Sequence, residues 1–272
     1  MTAIGTDRPA RRRLTSPRIA ETVANELRQQ IIDGELADGD LLPPQAVLVE
    51  KFNVSLVSLR EALRILETEG LVSVRRGNRG GAVVHAPAKA STAYMLGLLL
   101  QSEDVMLSDL ATALQELEPM CAALAAKRPD RAIELVPELH GINAQMAELV
   151  SDGPGFTALG RKFHDTVVRG CGNHTVIAVF GSLEALWNSH GQNANESDAD
   201  AYPSPGERQA VLKSHAALTD AIELGDPDRA RSVTTRHLND SKTYGLHEDA
   251  SHPIVATAPH VMDHRPRDWR LI

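Results

Sequence analysis

The sequence predicts a mainly α-helical protein in two parts: a small N-terminal unit of helices and one β-hairpin, followed by an all-α bundle. Apolar residues recur at helical spacing along most of the 272-residue chain, whereas the alternation typical of strands is confined to about 71–84. Aromatic residues make up only 3% of a chain that is 42% hydrophobic, so its core must be packed from aliphatic side chains. That composition favours helical bundles, and the length suits two domains.

The net charge of −8 is unevenly divided between the two units. Residues 1–85 carry 12 basic and 11 acidic side chains, whereas residues 86–272 carry 16 and 25. Because the acidic excess lies in the second unit, it does not exclude a polyanionic partner for the first.

The sequence contains no recognisable membrane or export signal. No apolar run reaches the length that crosses a bilayer, and the basic stretch 1–18 lacks the apolar segment and cleavage site of a secretory signal. Cys121 and Cys171 lie in apolar, helix-like segments without a metal-type spacing, which indicates free thiols in a reducing compartment. We therefore expect a cytoplasmic protein with no membrane partner.

Two helices are predicted at the start of the first unit. The first covers about 17–33 and ends at Gly34. Its apolar positions recur every four residues, at Ile19, Val23, Leu27 and Ile31. A short second helix follows Pro43-Pro44, because proline is tolerated in a first turn. The buried side of this second helix consists of Leu48, Val49 and Phe52.

A third helix begins after Ser55, a residue type suited to cap a helix N-terminus, and ends at Gly70. Its two faces are Leu59, Ala62, Leu63 and Leu66 on the apolar side, and Arg60, Arg64 and Glu67 on the polar side. Strands are predicted at 71–74 and 82–84, joined by a glycine-rich basic turn. Three helices followed by a two-stranded hairpin form the plan of a winged helix-turn-helix with a small β-hairpin wing.

The run 19–84 resembles the DNA-binding domain of the GntR family, in its FadR-like branch. The matching segments, in order, are Leu42-Pro43-Pro44, Val54-Ser55, Arg60 to Leu66, Glu69 to Val72 and the wing from Arg75 to Gly81. The resemblance implies that the third helix enters the major groove of operator DNA by its N-terminal end, whose partial positive charge favours phosphate.

The resemblance implies DNA contacts from the second and third helices and from the wing. The predicted contact residues are Gln45, Ser55, Leu56, Val57, Ser58, Arg60, Arg64, Arg76, Gly77, Asn78 and Arg79. Arg60 lies one turn into the third helix, within reach of a guanine edge or a phosphate. A basic wing rich in glycine approaches the DNA backbone or minor groove closely. The alternative, that Arg60 and Arg64 form only a solvated helix face, does not account for the wing.

Two positions depart from the family pattern. The family has arginine where this chain has Ala46 and Leu56. Leu56 and Val57 would present methyl groups to the groove, which suits thymine methyl groups rather than guanine. We therefore expect a half-site that depends less on guanine than is usual in the family.

The second unit is predicted to be an antiparallel helical bundle that follows a linker at 85–88. Its helices are predicted at about 91–101, 107–128, 130–151, 156–171, 174–190, 206–224 and 227–244. A polar segment over 191–206 indicates a mobile loop. The predicted domains are a flexible basic arm at 1–16, the winged helix-turn-helix at 17–86, a helical effector-binding domain at 90–245 and a mobile tail at 246–272.

The bundle resembles the FCD effector domain of FadR-like regulators. The matching segments are Leu117-Glu118-Pro119, Leu124-Ala125-Ala126, Phe163-His164, Gly172-Asn173, His215, Ala221-Ile222, Gly225-Asp226 and Arg236-His237-Leu238. In that family, histidines matching His164, His215 and His237 hold one divalent metal ion, together with an aspartate one turn before the first histidine. Gly160 occupies the aspartate position, and Leu114 replaces a family arginine. The resemblance implies an effector pocket at Leu114, Glu118, Gly160 and Asn173.

The metal expectation follows from the chemistry of the donor set. Neutral imidazoles on three separate helices suit zinc or nickel and leave positions open for a ligand carboxylate. Because Gly160 supplies no ligand, water or the effector must complete the shell, and the predicted site is weaker than the family norm. The alternative is that the three histidines are hydrogen-bonded core residues that line an organic pocket without metal.

The sequence thus predicts a ligand-responsive transcriptional repressor or activator, and not an enzyme. It would bind palindromic double-stranded operator DNA as a homodimer, with the affinity controlled by a small-molecule effector, a carboxylate in particular. One alternative is a metal-dependent enzyme that activates water, although no general base stands at helical spacing beside His164. A second alternative is a DNA-binding protein without a ligand.

Overall fold

A computed structural model describes residues 16–74, 81–191, 202–241 and 252–258 of the chain. The elements are α1 (Ser16–Ile32), α2 (Gln45–Phe52), α3 (Leu56–Thr68), β1 (Val72–Val74), β2 (Ala82–Val84), α4 (Lys89–Ser102), α5 (Leu107–Lys127), α6 (Arg131–Glu134), α7 (Val136–Glu148), α8 (Gly153–Arg169), α9 (His174–Gly191), α10 (Pro205–Leu224) and α11 (Pro227–Ser241). The chain divides into two compact units, the first ending at Ser91 and the second beginning at Thr92. The predicted mainly α fold, with one small hairpin, is confirmed.

The first unit is a three-helix core closed by the hairpin. Helix α1 packs against α3, and α3 contacts α2 and β1. Strands β1 and β2 are antiparallel, with Val72 opposite Val84, and the segment before α2 adds a bridge from Leu41 to Val83. In the apolar stripe predicted for α1, Val23, Leu27 and Ile31 are buried and Ile19 is partly buried. Leu59 of α3 belongs to the same apolar cluster. These contacts hold α3 by its apolar face and leave its polar face exposed.

One ion pair that the sequence did not indicate ties α1 to the end of α3. The guanidinium of Arg28 donates to Glu69 through two nitrogens, at 2.8 Å and 2.6 Å. A bidentate pair restricts the angle between the two helices more than a single hydrogen bond would. The Glu69 carboxylate, as hydrogen-bond partner, raises the pKa of Arg28, so the guanidinium stays charged.

The second unit is a helical bundle in which α5 contacts α8, α9, α10 and α11. One apolar cluster lies among α7, α8 and α10, and another joins α5, α9 and α11. The predicted helix at 130–151 is wrong in one respect, because the structure breaks it into α6 and α7. Pro137, in the first turn of α7, has no N–H to continue a helix from before it.

The two cysteines are free and buried, as predicted. Burial, together with the neighbouring Cys171 thiol, raises the pKa of Cys121 to about 12. A thiol with such a pKa carries almost no thiolate at neutral pH, so Cys121 is a packing residue.

The predicted mobile tail at 246–272 is wrong for residues 252–258, which we call the C-terminal strap. Pro253 of the strap forms an isolated antiparallel β-bridge with Met106. The N–H of Ile254 donates to the carbonyl of Val105 at 2.9 Å. Ile254 is 0% exposed. The strap is too short to show a helical or strand period, and only its contacts with distant residues order it.

Other predicted segments fall outside the part of the chain that the structure describes. These are residues 1–15 of the basic arm, 192–201 of the polar loop, and 246–251 and 259–272 of the tail. Within the described ranges, no helix combines the length and the apolar character needed to span a bilayer.

Candidate functional site

Helix α3 presents its N-terminal end to solvent, as the DNA-binding prediction requires. Ser55 caps the helix, and its hydroxyl accepts from the N–H of Ser58 at 3.1 Å. Leu56 and Val57 are 42% and 71% exposed. Ser58 is wrong as a predicted DNA contact, because it is only 3% exposed and its hydroxyl pairs with that of Ser55. Its role is to anchor the start of the helix.

The remaining predicted contacts of this surface lie on the exposed side of α2 and α3. Arg60 is exposed, and its Nε donates to Oε1 of Gln45 at 3.4 Å, which joins the two helices at the surface. Arg64 lies one turn further along, and its side chain makes an exposed ion pair with Glu61. Leu56, Arg60 and Arg64 therefore form one ridge of α3 that is free to enter a groove.

The wing residues Arg76, Gly77, Asn78 and Arg79 lie outside the described residues. The structure does describe the strands that carry the wing, β1 and β2. The roles of these four residues stay predictions.

The second candidate site is a buried cluster of three histidines, which we call the histidine cluster. His164 on α8, His215 on α10 and His237 on α11 offer ligand atoms that all lie within 4.8 Å of one another. Nε2 of His237 is 3.2 Å from Nε2 of His215 and 3.2 Å from Nε2 of His164. The prediction that the three imidazoles meet inside the bundle is confirmed.

The protonation of the cluster follows from burial and charge. Burial, with the adjacent imidazoles, lowers the pKa of His215 well below its usual value. Burial, with the charge of His164, lowers the pKa of His237 to about 3. Burial also opposes charge on His164, but the Glu118 carboxylate outweighs it and raises the pKa of His164. His215 and His237 are therefore neutral at pH 7, and each carries a lone pair on one ring nitrogen.

Glu118 on α5 orients the cluster. It is fully buried, and its carboxylate accepts a hydrogen bond from Nδ1 of His164. This bond fixes the tautomer of His164 and directs its Nε2 at His237. The His215 ring is held by stacking on Phe163, with centroids 3.9 Å apart and planes within 6°. The structure shows Glu118 bonded to His164, and its predicted contact with the effector stays a prediction.

The donor set fits a divalent metal ion. Nitrogens about 2.05 Å from a tetrahedral zinc ion stand about 3.3 Å apart, close to the two separations of 3.2 Å. The Nε2 atom of His237 has either one proton or one lone pair, so it forms one good hydrogen bond and cannot satisfy both neighbours. A cation between the three lone pairs satisfies all of them, and the Glu118–His164 pair is the usual support for such a ligand.

The other predicted pocket residues are placed differently. Gly160 lies one turn before His164 on α8. Among the described residues, and apart from the backbone of α8, a Cβ built there would meet only Cε of Met146, at 3.6 Å. Leu114 is fully buried in the apolar cluster of α5. Asn173 is wrong as a pocket residue, since it is exposed and its Oδ1 accepts from the N–H of Val176 to cap α9.

Glu184 on α9 was missed by the sequence reasoning. Its carboxylate is close enough to contribute to the raised pKa of His164. The residue comes 20 positions after the first histidine, on another helix, and no local pattern marks it.

Comparison with known proteins identifies both units. Residues 19–84 match the family described as bacterial regulatory proteins, gntR family, and residues 109–240 match the FCD domain. The helix-turn-helix transcriptional repressor NanR of Enterobacter sp. (strain 638) is 30% identical over 236 residues, which cover 84% of this chain and 86% of that protein. The uncharacterised helix-turn-helix regulator Rv0494 of Mycobacterium tuberculosis is 30% identical over 232 residues, covering 82% and 88%.

A solved structure supports the fold. The protein described as Streptococcus agalactiae GntR aligns with 83% of this chain and 100% of its own, with a TM-score of 0.62 and 22% identity. The FCD match includes every member of the histidine cluster, and the gntR match includes all of α3 and the hairpin. The chain therefore belongs to the GntR family of DNA-binding transcriptional regulators, in its FadR-like branch with an FCD domain.

Proposed function

We propose that this chain is an effector-responsive repressor whose sensor is a metal site formed by the histidine cluster. The observation that carries the proposal is the convergence of three buried Nε2 atoms, with His164 oriented by Glu118. The neutral imidazoles of His215 and His237 are ready ligands, because metal binding need not displace a proton from them. The relatives named as NanR repressors support repression as the sign of regulation.

The effector that we propose is a carboxylate that completes the coordination shell. Gly160 provides no side chain where the family has an aspartate, so one ligand position is left to a molecule from solution. A bound cation supplies the Lewis acidity that holds a carboxylate oxygen at this point. Metal and effector then bind with positive coupling, because each supplies part of the other's site.

The DNA target that we propose is a palindromic operator bound by a homodimer. Each winged helix reads one half-site, so two copies match a two-fold sequence. The apolar side chains Met95, Leu98 and Leu99 are 65%, 41% and 54% exposed, and their spacing places them along one side of α4. A second copy of this chain is the partner that we propose for this apolar stripe.

The test begins with metal and DNA binding by protein purified without an affinity tag. Metal content and zinc titration are measured for the wild type, for His215→Ala and for His174→Ala. His174 is an exposed histidine at the start of α9 and serves as the matched control. The wild type and His174→Ala should bind one ion per chain, and His215→Ala should lose it. Sedimentation should show a dimer.

The DNA measurements separate the alternatives. Operator sites are selected from random DNA, and affinity is measured with and without zinc and candidate carboxylates. A metal-free protein with a full effector response would make the histidines pocket-lining groups only. DNA binding that no ligand changes would favour the ligand-independent alternative, and turnover of a candidate substrate would favour the enzyme.

A further inference from the structure

The C-terminal strap lies outside both family matches, so neither match assigns it a role. Two backbone hydrogen bonds fasten it to the loop between α4 and α5. The N–H of Ile254 donates to the carbonyl of Val105 at 2.9 Å, and the N–H of Leu107 donates to the carbonyl of His252 at 3.0 Å. The strap is therefore an addition to the family bundle, held by its own set of contacts.

The strap also contacts α4, the helix that follows the linker after the winged helix. The N–H of Ala256 donates to Oε1 of Gln101 at 2.9 Å. One turn earlier on α4, Gly97 lets the strap approach closely, because a Cβ built there would lie 3.2 Å from Cβ of Ala256 and 3.0 Å from Cδ1 of Leu186. The strap therefore helps to position α4 on the bundle.

One bond of the strap depends on the protonation of a side chain. The N–H of Val255 donates to Nε2 of His190, at the end of α9, at 2.9 Å. The other ring nitrogen, Nδ1, faces the carbonyl of Leu186 at 2.9 Å, and a carbonyl only accepts. The ring proton therefore lies on Nδ1, and Nε2 accepts through its lone pair. A second proton on Nε2 would remove that lone pair and leave two N–H groups facing each other.

Within the described part of the chain, no carboxylate pairs with His190. The described histidines that do pair with a carboxylate are His85, His140 and His164. The titratable groups on the elements around His190 are Glu184 of α9, Tyr94 of α4, Glu103 and Asp104 after α4, and His252 of the strap. Protonation of His190 therefore costs the Val255 bond, with no ion pair among these groups to compensate for it.

We propose that His190 and the C-terminal strap form a proton-operated latch on α4, closed while Nε2 is free and opened when Nε2 binds a proton. The open form takes up a proton that the closed form excludes, so a fall in pH favours the open form. Histidine is the side chain suited to this role, because it changes charge between about pH 5 and 8. The latch uses no member of the histidine cluster, so it goes beyond the proposed sensor and can fail without it.

The test measures hydrogen exchange on the full chain at about pH 8 and about pH 5.5, on either side of the usual histidine titration. Rates are expressed as protection factors, which removes the intrinsic pH dependence of exchange. Protection of the Val255 and Ala256 amides should fall about threefold or more at the lower pH, since one hydrogen bond is lost. Protection of Leu63, in the middle of α3 in the other unit, should stay the same.

Two variants and one spectrum assign the effect to His190. His190→Gln keeps a carbonyl that accepts from Val255 but does not titrate, so its strap should be equally protected at both pH values. His252→Gln, at an exposed position of the strap, is the matched control and should respond as the wild type. Histidine ring NMR with nitrogen labelling should show the neutral His190 ring with its proton on Nδ1.

Four results would overturn the latch. They are strap protection that does not change with pH in the wild type, a wild-type response in His190→Gln, a response abolished by His252→Gln, and a neutral His190 ring protonated on Nε2. If His190→Gln loosens the strap at both pH values, the ring titration decides. Protonation of His190 with the same midpoint as strap opening supports the latch, and a different midpoint overturns it.

Discussion

Replacement of Ile254 by alanine tests whether the C-terminal strap is part of the folded bundle. Ile254 is 0% exposed and packs in one apolar cluster with Leu107 and Leu186. The substitution removes three carbon atoms, worth about 2.4 kcal/mol at about 0.8 kcal/mol for each buried group. The cavity left behind adds to this, so the expected loss of unfolding free energy is about 2–5 kcal/mol.

The matched control is Val255→Ala, one position along the strap. Val255 is 54% exposed, so its truncation should change the unfolding free energy by less than about 0.5 kcal/mol. A third variant, Val255→Pro, removes the N–H that donates to Nε2 of His190 at 2.9 Å. It should cost about 1 kcal/mol, which separates the contribution of the strap backbone from that of its side chains.

Two measurements report on the strap. Urea unfolding followed by far-ultraviolet circular dichroism gives the free energy of the second unit, with the two units fitted as separate transitions. Hydrogen exchange gives the local opening at Leu107, whose N–H donates to the carbonyl of His252 at 3.0 Å. If Ile254→Ala matches Val255→Ala in stability, and exchange at Leu107 is fast in the wild type, the strap is not packed and the reasoning fails.

Four further substitutions test the two sites. Glu118→Gln should lower zinc affinity about tenfold in a competition titration, since the carboxylate orients its histidine, whereas Glu116→Gln, at an exposed position of the same helix, should not. Gly160→Asp should raise zinc affinity and weaken the coupling to a carboxylate effector, because the new side chain has room and supplies the missing ligand. Unchanged zinc affinity would show that the new carboxylate points away from the histidine cluster. Arg60→Ala should weaken operator binding by about 1–3 kcal/mol, and an equal loss on random DNA would reassign Arg60 to the phosphates. Leu56→Arg should shift selected sites toward guanine at one position, and an identical site for both proteins would show that residue 56 does not face the bases.

The elements of the first unit could be predicted because their signals are local. Ser55 caps α3 by accepting from an N–H three residues away, and the apolar stripe of α1 repeats every four residues. Neither signal depends on residues that are far away in the sequence. The hairpin follows from a short alternating run, and its register, with Val72 opposite Val84, comes from the structure. Local propensity and tertiary structure agree in this unit.

The histidine cluster was anticipated in its members but not in its surroundings. His164, His215 and His237 were found through family register, and the structure brings them together. The partner of His164 was not foreseen, because Glu118 lies 46 positions away on a helix that only the packed bundle places beside it. The exposed position of Asn173 depends on where α9 begins, and alignment with the family pattern does not determine that point.

The sequence by itself determined the helices, the hairpin and the two-unit plan, since these follow from spacing and residue type. The residues expected to contact DNA and metal came from the resemblance to a known family. Only the tertiary structure decided what surrounds those residues and which of them are exposed. It turned Ser58 inward, gave His164 a carboxylate partner and ordered Ile254 against the bundle. The physical reason is that burial and long-range pairing depend on several helices packing at once, and no short window of sequence contains that information.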